Sequence, residues 1–446
     1  MKSLITTHAK KTIFTLLILV PVILLLLRVS VSPTLPGTES YDNLLIASSI
    51  QDDSLSTLTS SSPNLYHYLL APSPKILSII LPTILMIITI LLLPPLLKKL
   101  DISPKIQNIS LIMLILSPLF LSLIFLSTPL PLILLINVAG LLLLSQKKAT
   151  STIIALVLFA TIPLFGPLHV AILILTILCF STIRNKTFTH GPIVAIFITL
   201  ESILYYTLSP PNISTITPKL TNLFVELGSW YGMSIFYLLL AILGLLYLWR
   251  QKKTYYPLFL FLAIAIATTI WFPQAGIYLY IPLHILAAYG FLSVMTSKWE
   301  LPRLKKLSLY LILLGILIST IASASTLSRT SPNPQQIDAL IWLEDDESKH
   351  YTALSHSSRS SWIQTVAKKK TLSEEDSLPL LQTSNLATAI ELIAKHDITY
   401  IFIDNEMKNS LVWSQPDQGL LFLLRNEETF KRVHKTEYTE LWQVKS

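Results

Sequence analysis

Residues 76–97 read ILSIILPTILMIITILLLPPLL, from Ile76 to Leu97 without one charged side chain. At about 1.5 Å per helical residue, a run of this length crosses a bilayer core of about 30 Å. Comparable apolar runs recur at 12–28, 108–127, 129–145, 150–165, 168–183, 189–208, 230–249, 255–272, 276–296 and 307–325. The whole chain of 446 residues is 52% hydrophobic and only 13% charged, with a mean hydropathy of +0.62. A soluble protein of this size is excluded; the pattern predicts an α-helical polytopic membrane protein with about 11 transmembrane helices.

Charge sets the expected orientation. Residues 1–330 hold 21 Lys and Arg, and an N-terminus inside the cell puts 17 of them on cytoplasmic ends, leaving only Arg28, Lys75, Lys219 and Arg329 outside. That split predicts a plasma-membrane protein with a cytoplasmic N-terminus and an extracytoplasmic C-terminal region. The net charge of +8 divides into 21 − 8 = +13 for residues 1–330 and 12 − 17 = −5 for residues 331–446. Its excess is topological, so no nucleic-acid partner is expected. The N-terminal run is read as a retained signal anchor, since Arg28 follows it and no small-x-small cleavage site is evident. Cys179, the only cysteine, falls within a predicted span and excludes a disulfide framework.

Two domains are expected: a transmembrane domain over 1–330, with an external loop at 30–75, and an extracytoplasmic α/β domain over 331–446. Ser331-Pro332-Asn333-Pro334 breaks the last apolar helix, and charged residues then become frequent. Helical segments are predicted near 335–346, 384–396 and 417–428, with strands near 351–355, 398–403, 430–435 and 438–444. Within the external loop, Leu65-Tyr66-His67-Tyr68-Leu69-Leu70 has the composition of a segment lying flat in the headgroup region.

Carboxylates are scarce before residue 330, where only eight occur. Four of them, Glu39, Asp42, Asp52 and Asp53, follow the first apolar run. Glu39 and Asp42 are candidates to accept a proton from an acceptor or to hold a divalent cation against a lipid phosphate; the competing reading is loop solvation. Glu226 opens the eighth span, either as a second site acid or as a helix-terminal acid that complements the dipole. Glu201 lies within a span, where a charge costs about 2.5–3.5 kcal/mol and should face the bundle interior. His169 and His284 are read first as packing residues. Arg359, Trp362 and Lys368-Lys369-Lys370 could contact an acceptor or headgroups, against a simpler reading as a solvated basic turn. Asn212-Ile213-Ser214 is a formal glycosylation sequon.

Taken together, Pro36-Gly37-Thr38-Glu39-Ser40-Tyr41, Val225-Glu226-Leu227-Gly228-Ser229 with Gly232-Met233-Ser234-Ile235-Phe236, and Asp397-Ile398-Thr399-Tyr400-Ile401-Phe402-Ile403 resemble the GT-C glycosyltransferases. The likeness is greatest to archaeal proteins related to the oligosaccharyltransferase catalytic subunit. It implies transfer of a sugar from a polyprenyl-phosphate-linked donor, among membrane lipids, to an unidentified acceptor on the outer face. It implies further that Glu39 stands where such enzymes place a metal-binding or basic carboxylate, with Asp42 in support, and that Glu226 matches the external-loop Glu. Glu39 and Glu226 would then hold Mg or Mn if a divalent cation is used; a metal-independent transfer is the alternative.

The chain departs from the resemblance in four places. The next external loop, Ser127-Thr128-Pro129-Leu130-Pro131, has no acid; no Trp-Trp-Asp-Tyr-Gly run occurs; Leu45 stands near an expected basic residue; and no Arg occurs around Phe272-Pro273-Gln274-Ala275-Gly276. These absences count against metal-dependent asparagine glycosylation. They motivate the alternative of a non-catalytic GT-C-fold protein that binds lipid-linked glycans or scaffolds a glycosylation complex, with a polytopic transporter as the third reading.

Overall fold

The computed structural model describes all residues except 1–14, 16–17, 29, 31–33, 52–62, 185–186, 211–217, 251, 346–350, 416 and 446. Asp52, Asp53 and the Asn212-Ile213-Ser214 sequon lie outside the described residues. The chain divides into two compact units: Met1–Pro33, Asn64–Tyr66 and Ile79–Ser328 form one, and Thr34–Pro63, His67–Ser78 and Arg329–Ser446 form the other.

The first unit is helical. Among the described residues, five helices are long and apolar enough to cross a membrane, and a bent pair makes six. Five shorter apolar helices, including Ile18–Arg28, Leu130–Leu144 and Ile235–Trp249, accompany them. The bent pair corrects the single span expected over 108–127: helices Pro104–Ile115 and Pro118–Phe125 meet at 58°. The cause is local. Pro118 cannot donate to the preceding turn, and the Ser117 hydroxyl accepts from the Phe120 amide at 3.2 Å, starting a new helix there. The helix expected from residue 230 starts instead at Ile235, because Met233 donates to Leu223 at 2.8 Å and holds the preceding residues in a bridge.

The second unit contains a five-stranded sheet in the order β2-β1-β3-β5-β4, with β1 at Thr352–Leu354, β2 at Lys370–Thr371, β3 at Ile398–Asp404, β4 at Phe430–Lys435 and β5 at Thr439–Val444. Strand β1 pairs in parallel with β2 and β3, and β5 runs antiparallel to β3 and β4. A strand buried on both faces reads as a continuous apolar run, which is why β3 is the plainest strand in the sequence. Its Ile401 and Ile403 share a core with Leu380, Leu381, Trp413 and Phe430. The Trp413 indole satisfies its one donor on the Leu381 carbonyl at 2.8 Å.

The segment expected as an acidic loop is helical at Thr38–Gln51 and Leu65–Leu70. Gly37, at φ +74°, makes the turn into the first of these helices, and its amide donates to Thr330 at 3.3 Å. Tyr41, Leu44, Leu45 and Ala47 are buried, so Leu45 belongs to a packed face where a basic side chain would need a partner. Within the second helix, His67 and Leu70 are buried whereas Tyr68 and Leu69 are exposed.

Candidate functional site

Glu39 lies in the first turn of helix Thr38–Gln51 and is half-buried. The exposed amides of a helix N-terminus favour negative charge there. One turn on, Asn43 donates to the Glu39 carbonyl at 2.7 Å and meets His67 Nε2 through its Oδ1, also at 2.7 Å. If Asn43 is oriented as its donation to Glu39 requires, His67 carries the proton on Nε2. Burial holds His67 neutral, lowering its pKa from 6.5 to about 4. Its signal in the sequence is weak, since a lone His in an aromatic stretch gives no spacing to read.

Asp42 is turned toward the C-terminal part of the same unit. It is exposed as a residue, yet its carboxylate accepts a hydrogen bond from Ser361. Burial of the carboxyl raises its pKa above the ordinary value, and the Ser361 bond partly offsets this. Beside it, the Tyr41 ring stands edge-on to Trp362 at 6.3 Å, and Thr365 donates to the Tyr41 carbonyl at 3.2 Å.

Arg359 and Trp362 are internal. The guanidinium stacks on the indole at 4.4 Å and binds the fully buried Asp404 at 2.6 Å as well as Glu406. Gln336 and the Met407 amide complete the Asp404 partners at 3.1 and 2.9 Å. Lys368 pairs with Glu344 at 2.7 Å, Lys369 is buried, and Lys370 enters β2.

In the helical unit, Glu226 sits in a short turn at Val225–Leu227. Its two oxygens accept the Ile235 amide at 3.2 and 3.3 Å, and Oε1 also accepts from Ser319 at 2.8 Å. It therefore caps the helix that starts nine residues later. His169 meets the Tyr278 hydroxyl at 3.1 Å, and His284 Nδ1 meets the Tyr280 carbonyl at 2.5 Å. Glu201 Oε2 has no hydrogen-bond partner among the described residues.

In the sequence Arg28 carries only a topological signal. Its guanidinium lies over the Phe125 ring at 5.7 Å, and its charge reaches Tyr66, whose hydroxyl meets Ser127 at 3.0 Å. Burial raises the Tyr66 pKa, while Ser127 and Arg28 oppose the shift. The acid-free second loop thus contributes Ser127 to a cation-bearing cluster.

Among the described residues, no three His, Cys, Asp or Glu side chains are grouped so as to hold a metal ion.

No protein-family model matches the chain, and no curated protein sequence matches it. Solved structures do. AglB, the archaeal oligosaccharyltransferase from Archaeoglobus fulgidus, in complex with an inhibitory peptide and a dolichol-phosphate, is similar at a TM-score of 0.65 and 14% identity, over 96% of this chain and 73% of that one. The Archaeoglobus fulgidus oligosaccharyltransferase tethered to an acceptor peptide is similar at 0.62 and 14% identity, over 89% and 69%. ArnT from Cupriavidus metallidurans in the apo state is similar at 0.57 and 10% identity, over 97% and 98%. The chain therefore shares its fold, over most of its length, with archaeal AglB and with ArnT.

Proposed function

We propose that this protein is a membrane glycosyltransferase that moves a sugar from a polyprenyl-phosphate-linked donor to an acceptor on the extracytoplasmic face. The observation that carries the reading is Glu39, half-buried in the first turn of helix Thr38–Gln51 in a chain with the GT-C fold. An AglB structure containing dolichol-phosphate supports the donor class. In this reading the acceptor heteroatom attacks the anomeric carbon as the bond to the phosphate oxygen breaks. Glu39 takes the acceptor proton, and the polyprenyl phosphate or diphosphate leaves. Asn43 and His67 position the first turns of the Glu39 helix.

No step in this reading is assigned to a cation; both Mg or Mn held with the help of Glu39 and a metal-independent transfer accord with it. Glu226, engaged with Ile235 and Ser319, takes a supporting place at most, as does Asp42 on Ser361. The test is sugar transfer by purified protein over a panel of polyprenyl-linked sugars and acceptors. Wild type should transfer and Glu39→Gln should lose at least about 100-fold; full activity in Glu39→Gln would remove Glu39 from the reaction.

The engagement of Asp42 and Glu226 in structural hydrogen bonds also favours a second reading, a non-catalytic protein that binds lipid-linked glycans. Tight binding of a polyprenyl-phosphate sugar without turnover across the whole panel distinguishes it.

A further inference from the structure

The helical unit encloses a cavity of about 130 Å³. Leu141, Cys179, Ile183, Leu248, Ile281 and Ile285 supply much of its apolar wall. Along the helix Gly276–Thr296 the lining extends from Ile277 to Tyr289, about 18 Å at 1.5 Å per residue. The shape is a slot between helices. Tyr278 lines it near the start of that helix and Tyr289 near its other end, and Asn137, Asp101, Arg184 and Tyr255 also line it.

That second end is basic and wet. Arg184 pairs with Asp101 at 3.1 Å and donates to the Leu100 carbonyl at 2.9 Å, and Asp101 is largely exposed. Lys98, Lys99 and Lys105 are exposed on the helix ends flanking Asp101, and Lys147 and Lys148 follow helix Leu130–Leu144, which also lines the slot. Their positive charge exceeds the single Asp101. The slot meets helix Ile235–Trp249 at Leu248, whereas Glu226 caps the same helix at Ile235; thirteen residues separate the two levels, about 20 Å. The slot is thus at the far end of that helix from the Glu226 cap.

We propose that this slot is a lipid-binding site, taking one hydrocarbon chain of a phosphate-bearing membrane lipid, with the phosphate at the Arg184 and Lys98 end. The apolar wall excludes a polar ligand from most of its length, and dry cavities of about 150 Å³ take up small hydrocarbons. The basic rim selects a negative headgroup, and Tyr255 and Tyr289 suit the boundary between chain and headgroup. The assignment does not depend on sugar transfer.

The chain's only cysteine, Cys179, provides a direct readout because it lines the slot. The full-length protein in detergent is treated with a small apolar thiol reagent, alone and with phosphatidylglycerol, a polyprenyl phosphate or phosphatidylcholine. Labelling should slow at least tenfold with a phosphate lipid of net negative charge and little with phosphatidylcholine. Protection by phosphatidylglycerol identifies a bulk lipid as the source, and protection by polyprenyl phosphate alone identifies a donor-type lipid. Equal protection by all three lipids, or by none, overturns the proposal. As a second measurement, native mass spectrometry of Leu141→Trp, with unfolding midpoint checked, should show at least tenfold weaker retention of the protecting lipid; unchanged retention in the folded variant also overturns it.

Discussion

Ser361 donates a hydrogen bond to the carboxylate of Asp42 across a sequence separation of 319 residues. With Tyr41 against Trp362 and Thr365 on the Tyr41 carbonyl, it fastens helix Thr38–Gln51 to the C-terminal part of the same unit. An acid that composition marks for chemistry is also a fastening point.

Asp42 gives this contact a pH dependence. Its folded-state pKa is raised from 3.8, so the folded form holds the proton longer than the unfolded form does. The stabilisation is present below 3.8 and is lost as pH rises through the folded value. Asp42→Asn should therefore match wild type at low pH and equal or exceed its unfolding midpoint at pH 7. A lower midpoint at pH 7 would mean that the charged hydrogen bond outweighs burial.

His67 acts in the opposite direction. With a folded pKa near 4 against 6.5 unfolded, it binds a proton first in the unfolded chain. Stability falls as pH drops from 6.5 to 4, by up to about 3 kcal/mol at 1.36 kcal/mol per pH unit. His67→Gln should flatten thermal-unfolding curves across that window, and an unchanged slope would count against the assignment.

Glu226 separates capping from chemistry. Glu226→Ala removes the acceptor for Ile235 and Ser319 and should cost about 1 kcal/mol, whereas Glu226→Gln keeps an acceptor and should cost less. Transfer per folded molecule should stay within a few-fold of wild type in both variants. A large loss in kcat with Gln at an unchanged melting temperature would return Glu226 to the reaction.

The Arg359–Asp404 pair is deeply buried, with side-chain exposures of 7% and 0%. Asp404→Leu alone should destabilise by about 3–5 kcal/mol, because it leaves the buried guanidinium with only the exposed Glu406 as its charged partner. Arg359→Met/Asp404→Leu together should recover much of that loss in urea titrations. No recovery in the double variant would mean that the hydrogen bonds to Gln336 and Met407 dominate.

The apolar helices and strand β3 were legible because each is a continuous run whose length and composition carry the signal. Helix Thr38–Gln51 was not, since its packed face depends on partners more than three hundred residues away. The Glu226 cap was hidden for a related reason. The sequence predicts a helix start near residue 230, and the bridge between Phe224 and Met233 moves it to Ile235, within reach of the carboxylate. Arg28 and Ser127 were visible as residue types, but only folding brings them to Tyr66. Asp42 and Glu226 acquired structural partners in Ser361, Ile235 and Ser319 that no local spacing announces.

The 319-residue gap between Asp42 and Ser361 also sets a timetable for biosynthesis. At about 5–20 residues per second, the ribosome needs roughly 15–60 s to deliver Ser361 after Asp42. Throughout that interval Tyr41 and Asp42 lack Ser361, Trp362 and Thr365, the partners they finally meet. The fastening of this helix therefore waits until most of the polypeptide has been made.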